Sequence, residues 1–515
     1  MSDEALSTRA AITSLGAMEI IWVVLCFIGA SGAYALYVSK LPLWSDELAT
    51  IITVRRPFIE GLLQLQDYAA PMYQLLLRLF VQNDYPPEWV IRAPAVVFAL
   101  LGLLACWWFA RVLFGRRVAA LSIALLAVNL HFARYAMEGR PYSMFLLFSA
   151  LSMVTFYRLM YRGGFWYMAA YVASTTLLLY SHYYGFLVIP AQVGYAMIEA
   201  LFKRVGSRDF GRIAMAFGLV TVFAIPALWL ISRYLQTGAP GTVGWMKRPD
   251  IMDLLIQPGR LLGNLGLGVL CVVSLVAAIW WQRSPFDETA PLLETSVQSV
   301  GIRQRSAYQS SALLCVLWVV SSLYLLLAVS RFIRPVYHLR YGLPAIVPLT
   351  ILSVVLISRL RPFVQVIILL LVFVLTLSGT IRVFQGKIFP YSNGYPQLVA
   401  WLHQVNDDQS PVFVTDWAYC DGFINPEAYG MRYYGSQTEN IKLLPLRYPY
   451  QQAILYPSQL TVDSRFFVVG YMGRDLIDQY LKSQPRDYRT RRFGHLWLFE
   501  AEKEGSTARW LQSSQ

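Results

Sequence analysis

Residues 17–47 read AMEIIWVVLCFIGASGAYALYVSKLPLWSDE: an apolar run to Val38, then the adjacent carboxylates of Asp46 and Glu47. A helix that crosses a bilayer needs about 20 mainly apolar residues, and this run supplies them. The small residues Ser31–Ala35 resemble a processing site, but the apolar run continues through them, so the segment reads as an uncleaved anchor. Asp46 and Glu47 then stand where the chain leaves the lipid. An acid at that boundary costs desolvation energy and seldom adds stability, which makes the pair a candidate for function.

The rest of the chain extends this reading. It is 57% hydrophobic and 14% charged, against about 25% charged in soluble proteins. Its 15 Trp and 32 Tyr suit membrane interfaces, where ring and polar tip are both satisfied. Ten more apolar runs follow the first, at 89–110, 118–133, 142–160, 166–181, 184–202, 213–233, 261–281, 311–330, 342–358 and 363–381, so about eleven transmembrane helices are expected. The net charge of +13 does not mark a nucleic-acid partner. From Lys387 onward basic and acidic residues balance at 13 each, and the excess lies in short links such as Arg116–Arg117, Arg158–Arg162, Lys203–Arg212 and Arg359–Arg361. That is the positive-inside pattern. It places the N-terminus and those links in the cytoplasm, and eleven crossings put the C-terminal tail outside. No C-x-x-C pair occurs among the five cysteines, so neither a disulfide framework nor a thiolate zinc site is indicated.

Three outer segments exceed a simple turn. Residues 39–88 hold the acid pair and a stretch, Met72–Val81, that reads as a helix along the interface. Residues 234–260 are rich in Gly and Pro and read as a mobile loop. In the tail the composition turns mixed. Strands are expected at Pro411–Thr415, Ile441–Leu444, Phe466–Gly470 and Leu496–Phe499, with helices at Pro396–Val405 and Arg474–Lys482. The chain thus divides into a membrane domain, 1–384, and a small extracytoplasmic α/β domain, 385–515. The cytoplasmic link 283–308 reads as flexible.

On this topology four polar clusters collect at the outer face: Trp44–Glu47, His131–Tyr142, Ser181–Tyr184 and Tyr337–Tyr341. Singly, each has an ordinary explanation. A boundary His or Tyr anchors a helix, Arg134 snorkels, and Arg140 or Arg340 pairs with Glu138 for structural reasons. Together they bring carboxylates, imidazoles and guanidinium groups to one level. The planar fork of Arg suits phosphate, and a carboxylate can serve as a general base or hold a divalent cation. A lipid-linked phosphosugar calls for both, at this depth. No Walker loop, G-x-S-x-G elbow or H-E-x-x-H occurs, so nucleotide hydrolysis, a serine hydrolase elbow and a zincin lack support.

The first-loop acid, Glu138-Gly-Arg-Pro-Tyr142 opening a span, His182-Tyr-Tyr-Gly185 after another, and Arg340-Tyr-Gly-Leu-Pro344 opening a late one resemble the bacterial GT-C membrane glycosyltransferases. The nearest branch is that of the protein O-mannosyltransferases and lipid A aminoarabinose transferases. The likeness covers 40–190 and 338–348. It implies a GT-C fold in the bacterial inner membrane, a polyprenyl-phosphate sugar donor, and inverting transfer on the outer face to a glycan, lipid or protein acceptor. By carry-over Asp46 takes the catalytic acidic position, with Glu47 beside it and Glu138 as a second acid. Arg140, Tyr142, His182, Arg340 and Tyr341 line the donor pocket, and Tyr183 and His338 fall in the same clusters. If a divalent cation takes part, Glu47, Glu138 and His338 are its candidate ligands. Two other readings stay open: a ligase or polymerase of lipid-linked oligosaccharides, and a flippase or transporter. The latter is disfavoured because its polar groups would lie near the midplane, often within inverted repeats.

Overall fold

The structure, a computed structural model, describes residues 3–57, 71–202, 204, 206–236, 246, 248–263, 298–387, 394–406, 410–417, 426–435, 441–446, 465–470, 477–478, 481–482, 486–493 and 496–503. In chain order the helices are α1 (Asp3–Tyr37), α2 (Ser45–Arg55), α3 (Met72–Leu77), α4 (Glu88–Phe114), α5 (Arg116–Ala127), α6 (Leu130–Ala136), α7 (Tyr142–Arg162), α8 (Phe165–Ser181), α9 (Ile189–Leu201), α10 (Ser207–Gln236), α11 (Ile251–Leu262), α12 (Gln298–Val319), α13 (Leu326–Phe332), α14 (Ile346–Ile357) and α15 (Pro362–Phe384). The tail adds α16 (Tyr395–Val405), β1 (Val412–Trp417), α17 (Pro426–Tyr433), β2 (Ile441–Leu446), β3 (Phe466–Gly470), β4 (Arg486–Phe493) and β5 (Leu496–Lys503). The described residues fall into two compact units, one drawn from Met1–Leu36, Ala95–Ile231 and Met246–Ile381, the other from Tyr37–Pro94, Ser232–Trp245 and Arg382–Gln515.

The first unit is a helical bundle. Among the described residues eight helices are long and apolar enough to cross a membrane, nine if α5 and α6, bent by 64° at their junction, form one span. The eleven expected runs are therefore not all reached. Run 166–181 is α8, of 17 residues, and most of 261–281 lies outside the described residues. Outward faces carry exposed apolar side chains, among them Ile21, Phe223 and Leu370, as a lipid-facing surface requires. Glu19, buried on α1, is compensated by Arg111 at 2.8 Å and Arg116 at 3.4 Å.

Two spans are enclosed. The Tyr142–Arg162 span is 83% buried and the Leu339–Ile357 span 94%, against 17% for Ala17–Tyr37. A span surrounded by helices gains nothing from apolarity alone, so polar pairs hold it. Ser152 and Thr155 of α7 meet Thr175 and Ser174 of α8 at 2.8 and 3.1 Å, and Gln192 of α9 donates to Ser152 and accepts from Tyr171. Gly163 ends α7 with φ of 66°, a conformation that L side chains rarely adopt, so the backbone favours glycine there.

The link expected to be flexible is helical from Gln298 onward, and 283–297 lies outside the described residues. Likewise the loop expected at 234–260 ends in a helix, α11, whose face of Gln257, Leu261 and Leu262 is buried while Ile251 and Met252 are exposed. Asp250 and Asp253 cap it, with the Asp250 N–H donating to the Asp253 carboxylate at 2.8 Å. Met72–Val81 is helical only to Leu77. Cys106 and Cys315 are buried free thiols and Cys26 is half-buried and free, while Cys271 and Cys420 lie outside the described residues.

In the second unit the tail forms one mixed sheet of order β2-β1-β3-β5-β4. β1 runs parallel to β2 and β3, with Val412 opposite Ile441 and Phe467, and β5 runs antiparallel to β3 and β4. β3, Phe-Phe-Val-Val-Gly, is buried on both faces because it is central. Phe413, Phe466, Val468, Ile477, Leu481 and Phe499 form the core on one side. β4 was not expected. Its sequence, Arg-Asp-Tyr-Arg-Thr-Arg-Arg-Phe, carries the charge of an edge strand, which discourages pairing with other chains. Most of the expected helix Arg474–Lys482 lies outside the described residues.

Candidate functional site

The acid pair opens α2, a helix that sequence reading did not expect. The Trp44 backbone N–H donates to the Glu47 carboxylate at 3.3 Å, which caps the first turn. Glu47 is fully buried and forms a two-pronged ion pair with Arg92 of α4, also fully buried, at 2.7 Å on each prong. Arg92 spends its other donors on the carbonyls of Val38, Leu41 and Pro42, at 2.7–3.0 Å. All five guanidinium N–H groups are thus used. Glu47 holds the chain bend that follows α1. Asp46, in the same first turn, is half-buried and stands outside that ion pair.

In the first unit, three of the motif loops converge. Asn129 caps α6 by accepting from the backbone of His131 and Phe132. α6 carries Arg134, whose Nε lies 3.9 Å from the carboxylate of the fully buried Glu138. The turn Glu138–Pro141 then brings buried Arg140 to the start of α7 at Tyr142. His182 and His338 do the same local work: each is the cap of a 3-10 turn, Tyr183–Val188 and Leu339–Ala345, and accepts through Nδ1 from the backbone N–H two residues on, at 3.2 and 3.4 Å. Each imidazole so fixed presents Nε2 as its proton carrier.

The aromatic rings knit these pieces together. His182 stacks on Phe145 at 4.8 Å and lies 5.7 Å from Tyr142 and 5.6 Å from Tyr341. Tyr341 stacks on Tyr184 at 4.4 Å, and Tyr184 donates to the Val336 carbonyl. The Arg340 guanidinium lies over Tyr142 at 5.7 Å and over Tyr341 at 5.3 Å. Arg140, Arg340 and Glu138 all act electrostatically on Tyr142. Burial first, then the charges of Arg340 and Arg134, hold His338 down to about 2, so it is neutral at physiological pH.

Of the residues expected in the donor pocket, Arg140, Tyr142, His182, His338, Arg340 and Tyr341 therefore gather with Glu138. Tyr183 stands half-buried on the same 3-10 turn as Tyr184. Arg134, read from sequence as a snorkelling residue, instead faces Glu138, and the i,i+4 spacing carries that signal. Gln257 was missed, and Tyr184 and Tyr337 stood in the expected clusters without an assigned role. The Tyr337 hydroxyl donates to Gln257 of α11 at 2.9 Å, a contact across 80 positions that no local pattern announces. Arg134 faces Glu138, and Arg140 and Arg340, both buried, act together with Glu138 on Tyr142. Buried guanidinium groups gathered in this way suit a guest anion. The donor set for a metal does not fit as well. Glu47 is committed to Arg92, and among the described residues no three His, Cys, Asp or Glu side chains converge.

Comparison with known proteins agrees with this architecture. Residues 68–239 match the family model described as dolichyl-phosphate-mannose-protein mannosyltransferase. No curated protein matches the chain in sequence. Among solved structures, ArnT from Cupriavidus metallidurans in the apo state superposes with a TM-score of 0.60 over 93% of this chain and 97% of that one, at 13% identity. The same protein bound to undecaprenyl phosphate gives 0.56 over 93% and 98%, again at 13%. The Archaeoglobus fulgidus oligosaccharyltransferase in complex with Zn and sulfate gives 0.51 over 88% and 69%, at 11%. The chain shares the fold of ArnT from Cupriavidus metallidurans, and about a third of it matches the mannosyltransferase family model.

Proposed function

We propose that this protein is an inverting glycosyltransferase of the bacterial inner membrane, with eleven spans and its tail outside, that takes a sugar from a polyprenyl-phosphate donor. The observation that carries the reading is the gathering of the buried Arg140 and Arg340 with Tyr142, His182 and Tyr341. Arg140 and Arg340 bind the donor phosphate and stabilise it as the leaving group. His182 and His338, each accepting a backbone N–H through Nδ1, offer Nε2–H as further donors. Asp46 takes the proton from the acceptor hydroxyl as that oxygen attacks the anomeric carbon and the carbon–phosphate oxygen bond breaks. Glu47 supports Asp46 by holding the first turn of α2 through Arg92. No step runs through a metal.

The test is transfer from a synthetic short-chain polyprenyl-phosphate sugar by purified protein in detergent, with donor binding measured separately. Turnover that disappears when the phosphate is omitted or Arg140 and Arg340 are replaced by Ala supports the proposal. Unchanged donor affinity in that double variant would make both residues structural anchors. A periplasm-active reporter fused after Glu504 should be active, and one fused near Arg208 should not.

A further inference from the structure

The tail of the second unit grips the loop that carries the acid pair, mostly through backbone groups of that loop. Tyr434, which follows α17, accepts from the Leu43 N–H at 2.6 Å, across 391 positions. Tyr395, the first residue of α16, lies with its hydroxyl 3.4 Å from Ser45 Oγ. The two rings run nearly parallel, 12° apart in plane with centroids 6.5 Å apart. Gly430 of α17 packs closely against Tyr395 and Leu48. A Cβ there would stand 2.8 Å from Leu48 Cδ1 and 3.0 Å from the Tyr395 ring. Leu48, one turn along α2 from Trp44, is fully buried. The far end of the same loop is held alike, since Tyr429 donates to the Asp84 carbonyl and Tyr433 to that of Pro86. Asp84 in turn pairs with Arg55 at the end of α2.

We infer that Tyr395, Gly430 and Tyr434 form a clamp by which the C-terminal domain fixes the start of α2 and so aims the carboxylate of Asp46. This rests on the reading of Asp46 as the base. The Tyr434 hydroxyl, spent on a main-chain N–H, fixes where the helix begins whatever its side chains are, and Tyr395 adds a contact to the Ser45 hydroxyl. Leu43 and Ser45 flank the cap at Trp44, and Asp46 is the next residue after them. A reacting group displaced by 1 Å can cost about 100-fold in rate, so a clamp at this point sets turnover without touching the donor. Tyr395 and Tyr434 are positioning residues.

The test compares Tyr434→Phe and Gly430→Ala with wild type in the full-length protein. Tyr434→Phe should lower kcat about tenfold or more and leave the donor KM unchanged, because the phosphate-binding arginines are untouched. In an Asp46→Asn background it should add nothing, whereas a general loss of folded protein would multiply in both backgrounds. Hydrogen exchange gives a readout independent of catalysis: amides 43–48 should exchange faster in Tyr434→Phe while Phe466–Gly470 of β3 keep their protection. Unchanged exchange at 43–48 would overturn the clamp. If Asp46→Asn is itself near wild type while exchange at 43–48 rises, the base assignment falls and the clamp on α2 stands. Should Tyr434→Phe fail to accumulate, Tyr395→Phe, which loses only the longer contact, serves in its place. A Tyr395→Phe protein with the full wild-type kcat and unchanged exchange would count equally against the proposal.

Discussion

Two of the places where buried acids and arginines meet in this protein are built differently. At Glu47 one carboxylate meets one guanidinium in a two-pronged pair, and the three remaining donors of Arg92 end on carbonyls. Every charge and every N–H there has its match within the chain. At Glu138 the carboxylate lies 3.9 Å from Arg134 Nε, and the buried Arg140 and Arg340 act with it on Tyr142. The first arrangement ends every donor of Arg92 on the chain and holds a turn. The second gathers guanidinium groups from separate motif loops around aromatic rings. Proximity of acid and arginine in a sequence thus says little until their partners in the fold are known.

The comparison can be broken in several ways, taken here from the largest expected effect downward. Asp46→Asn keeps size and hydrogen bonding but cannot take a proton, so turnover should fall about 10²–10⁴-fold with donor binding and abundance nearly intact. Near-wild-type turnover would move the base role to Glu138. Arg92→Ala strands a buried Glu47 and should cost about 3–5 kcal/mol of stability, read as a loss of folded protein in detergent. If Arg92→Ala folds normally and only donor affinity drops, the division between structural and ligand-binding arginines fails. Arg340→Lys keeps the charge but loses the fork, and should weaken donor binding by about tenfold, ~1.4 kcal/mol, with folding largely preserved.

The smallest effect concerns pH. Unfolded, His338 takes up a proton below about 6.5, and folded it does not until about 2. The native state therefore loses stability as pH falls below 6.5, by at most ~1.4 kcal/mol per pH unit. His338→Gln should flatten that fall in thermal inactivation between about pH 5 and 6.5. An unaltered slope would mean that the imidazole is protonated in the folded protein.

Much of the membrane unit was legible because a lipid-facing helix must be apolar over a fixed length, and that constraint is written in consecutive residues. β3 was legible for a related reason, since a strand buried on both faces reads as Phe-Phe-Val-Val-Gly. What escaped was set by distant partners. α2 and α11 carry mixed sequences whose helical state depends on caps and on packing from far along the chain. Arg92 is an unremarked cation at the start of an apolar run until Glu47, 45 positions earlier, is seen to need it. In the candidate site the residue types were readable from four short motifs. The stacking of Tyr341 on Tyr184 and the pairing of Tyr337 with Gln257 were not, because each joins loops separated by many residues.

The near-complete enclosure of the Leu339–Ile357 span has a consequence for biogenesis. α14 packs on α5, α11 and α12, all made before it. Because 94% of that span is buried, it has little surface to offer lipid and must slot among helices already in the membrane. His338, Arg340 and Tyr341 are delivered at its leading end, so the pocket is finished only when roughly the last third of the chain is being synthesised. Ribosomes that stall earlier release inserted helices with an open groove where α14 belongs.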